Sequence, residues 1–271
     1  MNDRELLAGY VGIWWQAIAD FTELVEQVPA AGWSASTDLP GWDVHDVVAH
    51  TAHLEAVLAG APEETVEFRP GPHVRGLQGY YIEQGVVARR DRSPGELVAE
   101  IRDSAAKRHD ELAADPPTDA RAKPGRIFGG VPWDWRTLLR NRPLDVWMHE
   151  QDIRRAIDRR GNLDGAAAKH TADYLMESLP MVVAKRAAAP EGTTVVVRLN
   201  GSRPLAVRVN AEGRGVRLPE IPTDPTVRIN TDRETFICLA GGRRDPEPGA
   251  VGLDGDQELG RRILSKMAVT P

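Results

Sequence analysis

The sequence predicts a two-domain protein in which a helical bundle is followed by a small α+β domain. Over residues 1–188, apolar side chains recur at three- and four-residue spacing, which is the period of an amphipathic helix. From residue 190 onward, short β-branched runs alternate with turn residues. We therefore expect the second domain to cover residues 189–271, with strands and helices packed as an α+β module.

Seven helical segments are predicted in the first domain from periodicity and from capping or terminating residues. Ser93, Pro94 and Glu96 form the strongest start signal, because they supply a hydroxyl cap, a first-turn proline and a reciprocal carboxylate. Pro143 is expected to begin a new helix. Helices of this length joined by loops favour a bundle. The expected ranges are 3–28, 43–58, 75–90, 94–113, 133–140, 144–158 and 165–187.

The second domain is predicted to contain a hairpin, further strands and two short helices. Asn200 and Gly201 supply a turn signal between the first two strands. Asp232 and Asp256 are expected to cap the two helices, 233–240 and 257–267. The expected strands are 193–199, 205–209, 226–229 and 251–253.

Charge and composition exclude several classes of protein. The 34 Lys and Arg against 40 Asp and Glu give a net charge of −6, so there is no basic excess to bind nucleic acid. The sequence has no 18-residue apolar run and its start lacks a signal peptide, so we expect no membrane segment. The single cysteine, Cys238, excludes an internal disulfide and fits a reducing cytosol, which predicts a cytoplasmic protein.

His50 is the first candidate ligand, because it lies within the apolar stripe of the second predicted helix. On a helical wheel, Val47, Leu54 and Val57 all fall within about 80° of it. An inward histidine needs partners for both ring nitrogens. Two interpretations remain open at this point: a core histidine bonded to a neighbour, or a metal ligand.

Asp145 and His149 are one helical turn apart, so their side chains share a face. That face also carries apolar residues, and burying a lone carboxylate is costly. The pattern therefore indicates either a metal site or an Asp–His pair capped by Arg142 or Arg154. Asp152 is expected either to orient a ligand histidine or to pair with an arginine.

Together, one inward histidine on one helix and an Asp/His pair on another supply three ligands. Two nitrogens and one oxygen suit zinc or another divalent transition metal, and three ligands leave a position for water or substrate. The sequence contains no HExxH, GxSxG, Walker or GxGxxG motif, which argues against the corresponding enzyme classes. Cys238 lies in an apolar run and is interpreted as a core residue rather than a nucleophile.

Two helical segments resemble a known family. Residues 41–50, GWDVHDVVAH, resemble the GWxVxDVxxH signature of the maleylpyruvate isomerase family, DinB-like metalloenzymes that use mycothiol. Residues 142–156, RPLDVWMHEQDIRRA, resemble its second signature. The segments LAGGR at 239–243 and GDQELG at 255–260 extend the resemblance into the second domain.

The resemblance implies a DinB-like four-helix bundle followed by a C-terminal domain similar to sterol carrier proteins. It implies a zinc site made by His50, Asp145 and His149, although the family commonly has glutamate where this chain has Asp145. It also implies a catalytic arginine from the second domain, which by position is Arg243. Mycothiol is the implied thiol cosubstrate, since a metal-coordinated thiol becomes a thiolate at neutral pH.

Two functions from different classes follow. The first is a metal-dependent enzyme, an isomerase or S-transferase, in which a thiolate attacks a small electrophilic substrate whose carboxylate Arg243 would hold. The second is a non-catalytic metal-containing protein that binds a lipid or another apolar molecule. A fourth protein ligand, such as His53 or Asp152, would favour the second. The sequence leaves open whether the chain is a monomer or a homodimer.

Overall fold

The computed structural model describes residues 2–270 and consists of two compact units, divided between Ala168 and Lys169. The sequence predicted a boundary between residues 188 and 189, whereas residues 169–188 cluster with the second unit.

Four long helices of the first unit form a closed bundle. Helices α1 and α2 each pack against both α4 and α5, while the shorter α3 packs on α2. The predicted four-helix bundle is confirmed, and its long helices end within two residues of the predicted limits except at Pro143. The helices are α1 (Asp3–Glu26), α2 (Val44–Leu58), α3 (Gly76–Val87), α4 (Pro94–Ala114) and α5 (Trp135–Ala156).

The helix starts follow the predicted capping chemistry. Asp43 caps α2 by accepting a hydrogen bond from the backbone N–H of Asp46, at 2.9 Å. Ser93 and Glu96 form a capping box at the start of α4, with Pro94 in its first turn. These caps fix the ends of the helices and therefore the register of the side chains that α2 directs into the bundle.

Helix α5 is continuous through Pro143, so the prediction of two helices over 133–140 and 144–158 is wrong. A proline inside a helix removes one backbone hydrogen bond and costs about 3 kcal/mol. Here the side chains on both sides, including Leu139 and Val146, are buried in the bundle. Tertiary packing therefore outweighs the local cost and holds Asp145 and His149 on one uninterrupted helix.

The predicted helix 165–187 is also wrong in its second half. Helix α6 covers Ala166–Met176 and is followed by the three-residue α7, Leu179–Met181, and a π-helical turn, Val182–Arg186. Pro180 explains the break, because it lacks a backbone donor and disfavours helical geometry in the residue before it.

The second unit is built on a five-stranded sheet with the order β3-β2-β1-β4-β5. Strands β1 and β4 are parallel, and the other neighbours are antiparallel. Helices α8 (Arg233–Ala240) and α9 (Gln257–Leu264) follow their predicted Asp caps. The strands are β1 (Thr194–Leu199), β2 (Leu205–Val209), β3 (Gly215–Leu218), β4 (Val227–Thr231) and β5 (Val251–Gly255).

The four predicted strands and the α+β class are confirmed, while β3 is an additional strand. It is a four-residue edge strand without a fully buried side chain, so its sequence carries little of the hydrophobic pattern that identifies strands. Within residues 2–270, no helix is long and apolar enough to cross a membrane.

Candidate metal centre

His50 points into the interior of the bundle from the middle of α2. Its side chain is 4% exposed, and its Nε2 lies 3.7 Å from Oδ2 of Asp145. Its other ring nitrogen, Nδ1, has no hydrogen-bond partner among the described residues. The nitrogen that faces Asp145, Nε2, is the one that could bind a metal, whereas the unpaired Nδ1 does not by itself distinguish a core histidine from a ligand.

Asp145 and His149 meet His50 from the facing helix, α5. Nε2 of His149 lies 3.6 Å from Oδ1 of Asp145, as expected for side chains one turn apart. The two imidazole rings pack edge to face with their centroids 4.8 Å apart. The structure therefore brings together all three residues that the sequence singled out as ligands.

The three side chains fit a divalent metal in donor type and in spacing. Each can offer one ligand atom such that all three atoms lie within 4.8 Å of one another. Tetrahedral zinc with bonds of about 2.1 Å needs ligand atoms about 3.4 Å apart. The Asp145 oxygens lie 3.7 and 3.6 Å from Nε2 of His50 and of His149, which is close to that spacing. Within residues 2–270, no other group of three or more potential ligands has its ligand atoms this close together, within 4.8 Å.

Asp152 holds His149 from the far side of the imidazole ring. Its Oδ2 lies 3.1 Å from Nδ1 of His149, and its Oδ1 accepts a 2.5 Å hydrogen bond from Arg155. The contacts that both predicted roles of Asp152 require, with a candidate ligand histidine and with an arginine, are therefore present together. A proton on Nδ1 that faces Asp152 leaves the lone pair of Nε2 directed at the candidate centre.

Asp145 is also paired with Arg142, as the alternative interpretation of the Asp–His motif predicts. Nη1 of Arg142 donates a 2.8 Å hydrogen bond to Oδ2 of Asp145, whereas Arg154 pairs with Glu150 instead. Burial alone would raise the pKa of Asp145, but the charge of Arg142, followed by that of His149, holds it well below its usual range. The carboxylate is therefore ionised, as a metal ligand must be.

The two histidines have opposite electrostatic environments. Burial lowers the pKa of His50 despite the attraction of Asp145. Burial also acts to lower the pKa of His149, but the carboxylates of Asp145 and Asp152 outweigh it and raise the pKa. Burial thus favours the neutral form of His50, whereas the two carboxylates favour the protonated form of His149, so a proton would compete with a metal most strongly at His149.

Two residues near the centre carried no separate functional prediction. The ring of Trp42 lies 5.2 Å from that of His50 and forms an aromatic wall, and its Nε1 donates to Glu83. Glu55, also on α2, binds Arg142 in the bundle core. Trp42 belongs to the quoted GWxVxDVxxH segment, whereas Glu55 has no local sequence signal.

Neither residue named as a fourth ligand occupies that role. Nδ1 of His53 lies 3.5 Å from Nη1 of Arg89, and His53 is not in the three-residue group. Asp152 binds His149 and Arg155 rather than the centre. Among the described residues, the candidate ligands therefore remain the three that the sequence indicated.

Arg243 lies in the second unit, three residues after the end of α8. It is half-buried, and its Nη1 donates a 2.7 Å hydrogen bond to the carbonyl oxygen of Gly241. Its neighbour Arg244 lies 3.8 Å from Glu234. Cys238, on α8, is buried, in agreement with its interpretation as a core residue.

The chain belongs to the mycothiol maleylpyruvate isomerase family. Residues 14–154 match the mycothiol maleylpyruvate isomerase N-terminal domain, and residues 169–262 match the MDMPI C-terminal domain. The predicted membership of this enzyme family is thereby confirmed. No curated protein matches the sequence significantly.

Two solved structures share the fold. A histidine-to-alanine mutant of the mycothiol-dependent maleylpyruvate isomerase is 16% identical, with a TM-score of 0.53 over 92% of each chain. A second structure of the mycothiol-dependent maleylpyruvate isomerase is 18% identical, with a TM-score of 0.51 and the same coverage. At these identities the likeness establishes the two-domain fold.

Proposed function

We propose that this chain is a divalent-metal-dependent enzyme that uses mycothiol to act on a small, electrophilic, carboxylate-bearing substrate. The observation that carries the proposal is the convergence of His50, Asp145 and His149 from two helices of a family domain. Two imidazole nitrogens and one carboxylate oxygen favour zinc among the common divalent metals.

The protein side chains prepare the site for a metal and a thiol. Asp152 orients His149, and Arg142 keeps Asp145 ionised. A bound divalent metal would lower the pKa of a coordinated thiol, so that the thiol is available as a thiolate at neutral pH. Because Cys238 is buried in the second unit, the thiol is supplied by a cosubstrate.

The chemistry we favour is a cis–trans isomerisation. The cosubstrate thiolate adds to a carbon–carbon double bond conjugated to a carbonyl group, forming a carbon–sulfur bond while the electron pair moves to the carbonyl oxygen. Rotation about the new single bond follows, then the pair returns and the carbon–sulfur bond breaks. The thiolate is released unchanged, and the substrate is neither oxidised nor reduced, so no redox partner is needed. Displacement of a leaving group by the same thiolate would instead make the enzyme an S-transferase.

Arg243 is proposed as the catalytic residue that binds the substrate carboxylate. A guanidinium can hold a carboxylate through two parallel hydrogen bonds, which fixes the substrate as well as attracting it. The support for this role is its position in the LAGGR segment that resembles the family.

The binding-protein alternative is less well supported. A purely structural metal site is normally closed by a fourth protein ligand. His53 faces Arg89 and Asp152 faces Arg155, so neither fills that position. A group of three candidate protein ligands, together with membership of an enzyme family, supports catalysis.

A direct assay tests the proposal. The purified protein is incubated with mycothiol and maleylpyruvate, and the cis-to-trans conversion is followed by absorbance and product chromatography. We expect turnover that requires both the thiol and a chelator-removable metal, and that returns on addition of zinc. Turnover that persists without either one would contradict the proposed mechanism. Light scattering during purification decides between the predicted monomer and homodimer.

A further inference from the structure

A charged junction lies at the centre of the bundle, where each of the four long helices contributes one residue. Glu55 of α2 is completely buried, and its Oε1 accepts a hydrogen bond from Nε1 of Trp14 on α1 at 3.1 Å. Arg108 of α4 places Nη1 3.6 Å from Oε2 of Glu55. Arg142 of α5 is completely buried and binds Glu55 directly. The bundle therefore fixes the Glu55 carboxylate from three directions.

Arg142 connects this junction to the candidate metal centre. Its Nε and Nη2 both donate to Oε1 of Glu55, at 3.1 and 2.7 Å. Its remaining terminal nitrogen, Nη1, donates to Oδ2 of Asp145 at 2.8 Å. Because a guanidinium is planar and rigid, holding one edge on Glu55 fixes the direction in which Nη1 approaches Asp145.

The chain of contacts fixes the orientation of the Asp145 carboxylate. Oδ2 accepts from Arg142 and lies 3.7 Å from Nε2 of His50, while Oδ1 lies 3.6 Å from Nε2 of His149. A carboxylate held at one oxygen by a rigid donor keeps a fixed orientation toward both histidines. We propose that Glu55 is a positioning residue which, through Arg142, fixes the orientation of Asp145 as a metal ligand. This inference rests on the proposed metal site.

A role in stability alone would leave different traces. Buried ion pairs are weak contributors to stability, because the cost of desolvating both charges offsets their attraction. A stabilising pair could also lie anywhere in the core. Here Arg142, besides pairing with Glu55, donates a hydrogen bond to Asp145. This second contact connects the ion pair to the candidate metal centre. Metal affinity and ligand geometry are therefore the informative readouts.

The experiment compares Glu55→Gln, Arg142→Lys and the double variant with the wild type. Glu55→Gln keeps the shape of the side chain but removes the negative charge that holds Arg142. Arg142→Lys keeps the positive charge but loses the planar guanidinium that contacts Glu55 and Asp145 together. Zinc affinity is measured by competition with a chromophoric chelator, and ligand geometry by the visible spectrum of the cobalt-substituted protein. We expect each single variant to bind zinc about 10- to 100-fold more weakly, with an altered cobalt spectrum.

The double variant tests whether Glu55 and Arg142 act in series on Asp145. If both residues act through Asp145, it binds zinc no more weakly than the weaker single variant, because the second change removes nothing further. Glu100→Gln is the matched control, since Glu100 pairs with the buried Arg89 but has no contact with Asp145. This control is expected to keep the wild-type zinc affinity.

The failures are distinguishable. A wild type that binds no zinc or cobalt overturns the proposed function and this inference with it. A wild type that binds metal, with both single variants folded by circular dichroism and unchanged in affinity and cobalt spectrum, overturns the positioning role alone. Additive losses in the double variant also overturn it. If Glu55→Gln does not fold, Arg142→Lys and its cobalt spectrum decide.

Discussion

His149 and Asp152 face each other across 3.1 Å, with Nδ1 of the imidazole against Oδ2 of a completely buried carboxylate. This contact selects the tautomer of His149 whose Nε2 lone pair points toward Asp145 and His50. The opposite oxygen of Asp152 is held by Arg155. The candidate ligand therefore belongs to a chain of hydrogen bonds that fixes its orientation before any metal arrives.

Replacing Asp152 with asparagine is expected to weaken zinc binding about 10- to 100-fold. This is the typical loss when a residue that hydrogen-bonds to a metal ligand is replaced. Asp38→Asn is the matched control, because Asp38 binds the same Arg155 but does not touch His149. Chelator competition measures both variants. Equal affinities for wild type and Asp152→Asn would show that Asp152 does not orient a ligand.

Gly85 and Gly79, both in α3, should respond in opposite directions to alanine. A Cβ on Gly85 would lie 2.1 Å from the ring of the buried His53, whereas one on Gly79 meets nothing closer than 3.7 Å. Gly85→Ala is therefore expected to lower the free energy of unfolding by about 1–3 kcal/mol through overpacking. Gly79→Ala should raise it by up to about 1 kcal/mol, because alanine favours helix.

Urea denaturation of the two alanine variants and the wild type measures these changes. A Gly85→Ala protein as stable as Gly79→Ala would contradict the close packing of α3 against His53.

Stability should decline on acidification because of His53. Burial, and then the charge of Arg89, lowers the pKa of His53 to about 3, below the unfolded value of about 6.5. The unfolded chain therefore binds more protons between these values, so stability is present above pH 6.5 and is lost as the pH falls toward 3. His53→Asn should flatten this decline.

The measurement is the unfolding free energy from urea titrations between pH 7 and pH 4. His109→Asn is the control, since His109 of α4 is partly exposed and stacks on Trp15 instead of lying in the core. A His53→Asn profile as steep as that of the wild type would refute the assignment.

Arg243→Gln is expected to raise KM for a carboxylate substrate by at least about tenfold, because a charge-assisted contact is lost. Metal content should stay unchanged. The neighbouring Arg244→Gln serves as the control and is expected to have a smaller effect. Steady-state kinetics in the thiol-dependent assay compare the two, and identical KM values for Arg243→Gln and wild type would remove Arg243 from substrate binding.

The sequence was sufficient for the parts of the fold that depend on local signals. Asp43, Ser93 and Asp232 cap helices where their side chains predict it, because an N-cap acts within three residues. The inward direction of His50 and the shared face of Asp145 and His149 follow from helical periodicity alone. Their convergence needed the bundle, which the family resemblance implied.

The features that the sequence missed depend on distant contacts. Pro143 stays helical because packing on either side outweighs a local cost, and β3 is stabilised by pairing with β2. Glu55 and Arg142 are 87 residues apart, so no local pattern joins them. Arg142 was recognised only as one of two arginines able to pair with Asp145.

The central claim is that His50, Asp145 and His149 bind one metal ion, and elemental mass spectrometry of the purified protein tests it most directly. We predict about one zinc or similar divalent ion per chain in the wild type, and loss of that ion in both His50→Ala and His149→Ala. A wild type that contains no metal and takes up none of zinc, nickel, iron or manganese on reconstitution would contradict the account.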